Sequence, residues 1–76
     1  MLWIMPRPPQ RPGDRAYADL RARLESGEWP SGAQLPTVRE LAGHYQVAVR
    51  TVGRALARLA DDGLVNVVAG WGTFKI

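Results

Sequence analysis

The sequence predicts a mainly α-helical domain that ends in a small β hairpin. Three observations carry that prediction. Apolar residues recur at helical spacing in two stretches, Tyr17-Leu20-Leu24 and Val49-Val52-Leu56-Leu59. Between them, Thr37-Val38-Arg39-Glu40 has the form of a capping box and opens a further helix. Two short apolar runs, 64–68 and 73–76, flank Ala69-Gly70-Trp71-Gly72, the pattern of a hairpin with a glycine-rich tip. With 76 residues there is room for one small domain, since a chain of this size buries only about 60% of the surface its unfolded form exposes.

Each element has its own signals. Residues 1–13 read MLWIMPRPPQRPG. Pro6, Pro8, Pro9 and Pro12 do not belong in a helix or a sheet interior, so this stretch is expected to be an arm carrying Arg7 and Arg11. It is either a disordered leader or a basic arm that touches nucleic acid, and Trp3 with its apolar neighbours offers a third option, folding back on the domain. The domain proper is expected over 14–76. Asp14 is the expected N-cap of a first helix over about 15–26, ended by Gly27. Asp19 and Arg23 form a favourable i, i+4 pair. Residues 28–36 contain Pro30, Gly32 and Pro36 and read as a turn-rich connector, with Trp29 capping the core and a brief extended pairing around Gln34-Leu35. The second helix is expected over 38–44, facing Val38, Leu41 and Ala42 inward, and residues 45–48 turn the chain. The third helix is expected over 49–62, with Gly63 as its C′ residue and Leu64 as the apolar residue after it. A strand over 64–68, a tip over 69–72 and a return strand over 73–76 complete the order.

Composition removes whole classes of function. Hydrophobic residues make up 46% and charged residues 22%, which is ordinary for a globular chain and argues against wholesale disorder. There is no cysteine, so disulfides, zinc ribbons and thiol catalysis are excluded. His44 is the single histidine, so no histidine-pair metal site forms; it is expected on the surface at the end of the second helix. No glycine loop cradles phosphate, and Asp61 and Asp62 point about 100° apart on a helix, so they are no acid/base pair. No enzyme activity, cofactor or metal is expected. No stretch approaches the roughly 20 apolar residues of a membrane span, and Met1–Met5 is too short for a signal-peptide core. A cytoplasmic protein is expected.

The charge is ten basic residues against seven acidic, net +3, and nine of the ten bases are Arg. Placement matters more than the total. The second and third helices with their four-residue turn form a helix-turn-helix, and the hairpin after them forms a wing. Successive helical residues are rotated by about 100°. At that step Leu56 and Leu59 fall on the same side of the third helix as Val52, whereas Arg50 and Arg54 fall directly opposite. Arg50, Thr51 and Arg54 are therefore the residues that the front of the third helix offers to a major groove. Arg58 lies off to one side and is read as part of a solvated face near Asp61 and Asp62. Arg39 sits in the first turn of the second helix, where an acidic residue is more usual; a phosphate partner explains a cation there.

These residues together resemble a known family. Leu35-Pro36-Thr37-Val38-Arg39-Glu40-Leu41-Ala42, then Val47, Arg50-Thr51-Val52, Arg54-Ala55-Leu56, Leu59, Asp62-Gly63-Leu64-Val65 and Gly70-Trp71-Gly72-Thr73-Phe74 look like the winged helix-turn-helix DNA-binding domain of the GntR family of bacterial transcription regulators. The resemblance covers about 14–76. It implies binding to double-stranded operator DNA, usually as a homodimer on an inverted repeat and usually as a repressor. It implies DNA contacts at Arg39, at Arg50 and Thr51, and at the wing tip, Gly70 and Gly72, near the minor groove. To these the reading of the residues adds Arg54 and Trp71.

The departures from the family pattern bear on specificity. Members usually carry Ser-Arg-Thr-Thr where this chain has Ala48-Val49-Arg50-Thr51, so the cap side chain is missing and the arginine stands one residue later. A later arginine of some members is Gly53 here, and Trp71 stands where a cation is common. Trp71 either folds back on the wing strands or packs against the DNA backbone or a base step. The effector-binding domain that usually follows is absent from these residues, so no small-molecule effector is expected within them. The competing reading is a protein-interaction winged helix without sequence-specific DNA reading.

Overall fold

The computed structural model describes residues 11–76. The order is α1 (Pro12–Glu25), α2 (Val38–Tyr45), α3 (Val49–Asp61), β1 (Val65–Val68) and β2 (Gly72–Lys75). This is the expected three helices and hairpin, a winged helix-turn-helix. The rest of the amino-terminal arm, with Trp3 and Arg7, lies outside the described residues.

α1 begins earlier than its best cap suggests. Arg11 takes the N-cap position with extended backbone and no side-chain cap bond, and Pro12 opens the helix. The Arg11 carbonyl accepts from the N–H of Asp14 (2.9 Å) and of Arg15 (3.1 Å). Proline is welcome at the first helical position, where its missing N–H would have had no partner. Asp14 is thus inside the first turn rather than capping it, and Pro12 belongs to a helix after all. The other end is as expected. Gly27 (φ 84°) follows the C-cap, its N–H reaches the Leu24 carbonyl at 3.3 Å, and the Glu28 N–H reaches Arg23 at 3.1 Å, the two bonds of a Schellman end. Ala16, Leu20 and Leu24 form the buried face, with Tyr17 at its edge.

The capping box closes both ways. Thr37 Oγ1 accepts from the Glu40 N–H at 3.1 Å, and Glu40 Oε1 accepts from the Thr37 N–H at 3.3 Å. α2 runs one residue past expectation because Gln46, not a glycine, adopts the left-handed conformation that ends it (φ 56°). Tyr45 is therefore helical, and the turn is 46–48. α3 starts after Ala48, which makes no side-chain cap bond. It ends on Gly63 (φ 79°), with bonds from the Gly63 N–H to Ala60 and from the Leu64 N–H to Leu59, both 3.0 Å. Its last helical residue is Asp61, with Asp62 as the C-cap.

The hairpin is antiparallel, pairing Val65 with Lys75, Asn66 with Phe74, Val67 with Thr73 and Val68 with Gly72. Both strands sit one residue from expectation: Leu64 precedes β1, Gly72 opens β2 and Ile76 follows it. The connector also joins the sheet. Gln34 bridges Phe74, the Gly32 N–H reaches the Lys75 carbonyl at 2.7 Å, Lys75 donates to Ala33 at 2.8 Å, and Leu35 donates to Thr73 at 2.8 Å. β2 is held on both sides, by β1 and by the connector.

One core joins these pieces: Leu20 and Leu24 of α1, Leu35 of the connector, Leu41 and Ala42 of α2, Val52, Leu56 and Leu59 of α3, and Val65 of β1. Trp29 packs at its margin, as expected, beneath the Arg23 guanidinium at 4.6 Å. Periodicity puts Val49 in the core stripe, but it is 49% exposed, while Ala55 is buried. Val49 opens α3, and the core takes up its first α3 residue only at Val52, three positions later.

Polar contacts tie the rim. Arg23 Nε donates to both carboxylate oxygens of Glu28, at 3.0 and 2.9 Å. This hydrogen bonding holds the Glu28 carboxyl below its ordinary range. Its contribution is present at neutral pH and is lost as the pH falls through that depressed value. The expected Asp19–Arg23 pair is the looser one, at 4.0 Å. Burial, followed by its bond to Asp19, pushes the Tyr45 phenol up.

Candidate nucleic-acid interface

The arginines of the described residues fall into two groups. Three are engaged within the fold. Arg21 reaches Asp62 at 3.2 Å and Glu25 at 3.4 Å, Arg23 holds Glu28, and Arg58 reaches Asp14 at 3.2 Å. Arg58 also lies 3.9 Å from the Tyr17 ring centroid. The sequence suggests a place for it beside Asp61 and Asp62; it turns instead to α1, and Asp62 takes Tyr17 and Arg21 as partners. The second group includes Arg39, Arg50 and Arg54. All three are exposed, and among the described residues none forms an ion pair or a side-chain hydrogen bond; the same holds of Arg11 and Arg15 at the start of α1.

The fold aims this second group outward. The buried stripe of α3 is Val52, Ala55, Leu56 and Leu59, which leaves Arg50 and Arg54 on the opposite face with exposed Ala57 beside them. Arg39 is the second residue of α2, in the turn whose N–H groups the Thr37 cap only partly satisfies. Thr51 is half-buried at the approach of α1 to α3, where a Cβ on Gly13 would meet its Cγ2 at 3.2 Å. A Cβ on Gly53 would meet nothing within 4 Å, so the helix propensity forgone there is not recovered by any packing in the described fold.

The wing tip is open. Gly70 (φ 80°) and Gly72 (φ 127°) supply backbone conformations that side chains disfavour. Trp71 between them is 75% exposed, so it does not fold back on the wing strands. Two further residues adjoin those that the sequence singles out. Val49 is an exposed apolar residue beside Arg50. Gln34, from the distant connector, donates its side-chain amide to the Trp71 carbonyl at 3.0 Å. The first is detectable as the opening residue of a helix; the second has no local signal.

His44 is exposed, its ring edge-on to Tyr45 at 4.7 Å. Among the described residues no group of three or more His, Cys, Asp or Glu could hold a metal ion, and no helix is long and apolar enough to cross a membrane.

Comparison with known proteins is consistent across sequence and structure. Residues 12–74 match the family model for bacterial regulatory proteins of the gntR family. The HTH-type transcriptional regulator Rv1152 of Mycobacterium tuberculosis is 43% identical over 66 residues, covering 82% of this chain and 54% of that protein. The probable fructoselysine utilization operon transcriptional repressor of Escherichia coli K12 is 37% identical over 62 residues, covering 76% of this chain and 26% of that one. The chain thus spans about half the length of the first of these relatives and a quarter of the second. The DNA-binding domain of AraR, solved in complex with its operator ORX1, superposes with a TM-score of 0.86 over 99% of this chain and 93% of that one, at 23% identity, which bears on the fold. The chain belongs to the gntR family of bacterial regulatory proteins, and residues 12–74 carry that family's winged helix-turn-helix DNA-binding domain.

Proposed function

We propose that this domain reads operator DNA as part of a repressor, with α3 in the major groove and the wing at the minor groove. The observation that carries the reading is the partition of the arginines. Arg39, Arg50 and Arg54 stand outward and unpaired on the helix-turn-helix, while Arg21, Arg23 and Arg58 are occupied by the fold's own carboxylates. Exposed guanidiniums on the outer face of a groove-sized helix suit bidentate contact with guanine and phosphate. In this reading Arg50 and Arg54 read base edges, Thr51 makes a lesser contact beside them, and Arg39 holds a phosphate. Gly70, Trp71 and Gly72 meet the minor-groove side. The domain is a binding module, not an enzyme. It acts in the cytoplasm on the nucleoid, as a homodimer on an inverted repeat, with no effector site in these residues.

Selection of bound duplexes from a random DNA pool tests this directly. Enrichment of a paired, inverted motif supports operator reading by a dimer; no enrichment at low salt overturns sequence-specific reading. A second reading, a protein-docking wing, is favoured by the exposure of Val67, Trp71 and Ile76. Salt separates the two, because phosphate contacts weaken steeply with salt and an apolar dock does not.

Arg39→Ala is expected to weaken binding to all sequences alike and to make the slope of log affinity against log salt shallower by about 1, the signature of one phosphate contact. An unchanged slope removes Arg39 from the interface. Trp71→Ala is expected to leave the unfolding midpoint in place, given its exposure, and to weaken DNA binding by about 1 kcal/mol through lost aromatic contact. Trp71→Arg should then restore affinity and steepen the salt dependence. A drop in the midpoint with binding per folded molecule intact assigns Trp71 to packing instead.

A further inference from the structure

We propose that Gln34 is the positioning residue for the wing: its side-chain amide, reaching from the α1–α2 connector, fixes the tip that presents Gly70 and Trp71. The inference builds on the DNA-binding reading, but its first test does not depend on it.

A two-stranded ribbon is marginal on its own. Along β2, the Lys75 N–H donates to the Ala33 carbonyl and the Leu35 N–H donates to the Thr73 carbonyl, so the connector's main chain holds the strand as far as Thr73, one residue short of Gly72. Toward the tip, β1 and β2 end at the Val68–Gly72 pair. The turn itself is closed by a bond from the Trp71 N–H to the Val68 carbonyl at 3.0 Å. Gln34 supplies what the backbone does not. Its own backbone bridges Phe74, which aims the side chain along β2. Its Nε2 then donates to the Trp71 carbonyl at 3.0 Å, one residue beyond the end of the ladder.

Gly72 makes this contact sterically available. A Cβ built there would stand 2.6 Å from Gln34 Nε2, so any side chain at 72 would push the amide off the Trp71 carbonyl. The lack of a side chain at 72 therefore serves two ends: it admits the positive φ of 127°, and it leaves the place that the Gln34 amide occupies. The connector residue and the wing glycine form one unit, although 38 positions separate them in sequence. Gln34 is exposed, so its loss opens no cavity, and the effect belongs to presentation of the tip rather than to stability.

The experiment uses the full 76-residue chain. Backbone order parameters from NMR relaxation are measured without DNA for wild type, Gln34→Ala and Gln34→Glu; the last keeps the shape and removes the donor. Order at 70–72 is expected to fall toward the flexible range, below about 0.6, in both variants, with order in the three helices and the unfolding midpoint unchanged. Wild-type order at 70–72 in Gln34→Glu, or a loss spread over the helices, overturns the proposal. Affinity is then read on a duplex from the random-pool selection, or on a mixed-sequence duplex at low salt if none enriches. A loss of roughly 2- to 10-fold, the worth of one hydrogen bond, is expected for either Gln34 variant. A double-mutant cycle with Gly72→Ala isolates the coupling, since the backbone strain at 72 is common to both arms and cancels. Gln34→Ala should cost little once Gly72→Ala has displaced the amide, and additive losses overturn the coupling. A failed DNA-binding reading would leave the order-parameter result intact, whereas a failed positioning role would leave binding intact and abolish the change in order.

Discussion

Leu59→Ala is expected to destabilise the domain by about 2–5 kcal/mol, enough to unfold much of the population at physiological temperature. Leu59 is fully buried in the carboxy-terminal half of α3, in the cluster that α1, α2, the connector and β1 all join. Removing its side chain forfeits transfer energy and leaves a cavity that close-packed neighbours refill only partly. The whole domain holds only a few kcal/mol in reserve, because a chain of this size has little core to draw on and no disulfide to supplement it. At roughly 4–8 °C per kcal/mol for a domain this small, the midpoint should fall by about 8–40 °C in a thermal scan followed by circular dichroism. Val49→Ala is the matched control. It lies on the same helix and in the same apolar stripe of the sequence, yet it is half exposed, so its midpoint should shift by only a few degrees. A shift of less than about 4 °C for Leu59→Ala, or an equal shift for the two variants, would contradict a core centred on α3.

How much of this is legible in the sequence depends on how locally each feature is determined. The Thr37/Glu40 box and the Gly27 and Gly63 ends are readable because the chemistry that makes them lies within a few residues of chain. The start of α1 is misplaced for an equally local reason. Asp14 is the better capping side chain, but the helix uses the backbone carbonyl of Arg11 and tolerates Pro12 at its first position. The end of α2 falls one residue later than expected because a left-handed residue is read most readily from glycine, and here Gln46 adopts that conformation. Val49 shows the limit of periodicity, which gives the direction a residue faces but not how far the core extends along the helix. The partner of Arg58 and the reach of Gln34 to the wing are out of view, since both join segments more than thirty residues apart and only the fold brings them together. For the interface, the outward direction of Arg50 and Arg54 follows from the helical period. That their guanidiniums stay unpaired while those of Arg21, Arg23 and Arg58 do not requires the structure.

That difference sets the second large effect. Arg50→Ala should leave the fold unchanged and weaken binding to the specific site by about 1–3 kcal/mol, the discrimination carried by a good bidentate base contact. Arg50 lies in the first turn of α3, on the face opposite Val52, exposed and without a carboxylate partner among the described residues. An exposed side chain of this kind adds little to stability, so the midpoint should move within the ordinary range for surface substitutions, about 0.5 kcal/mol. The measurement is a titration on the selected duplex and on a scrambled one, at fixed salt. Base reading predicts a roughly tenfold to hundredfold loss on the first and a much smaller loss on the second. Arg50→Lys separates geometry from charge, because lysine keeps the positive charge and loses the planar fork that matches two acceptors at once. It should restore affinity for scrambled DNA while recovering little of the specificity. Equal losses on both duplexes for Arg50→Ala, with full recovery by Arg50→Lys, would make Arg50 a phosphate contact and move the reading of sequence to Arg54.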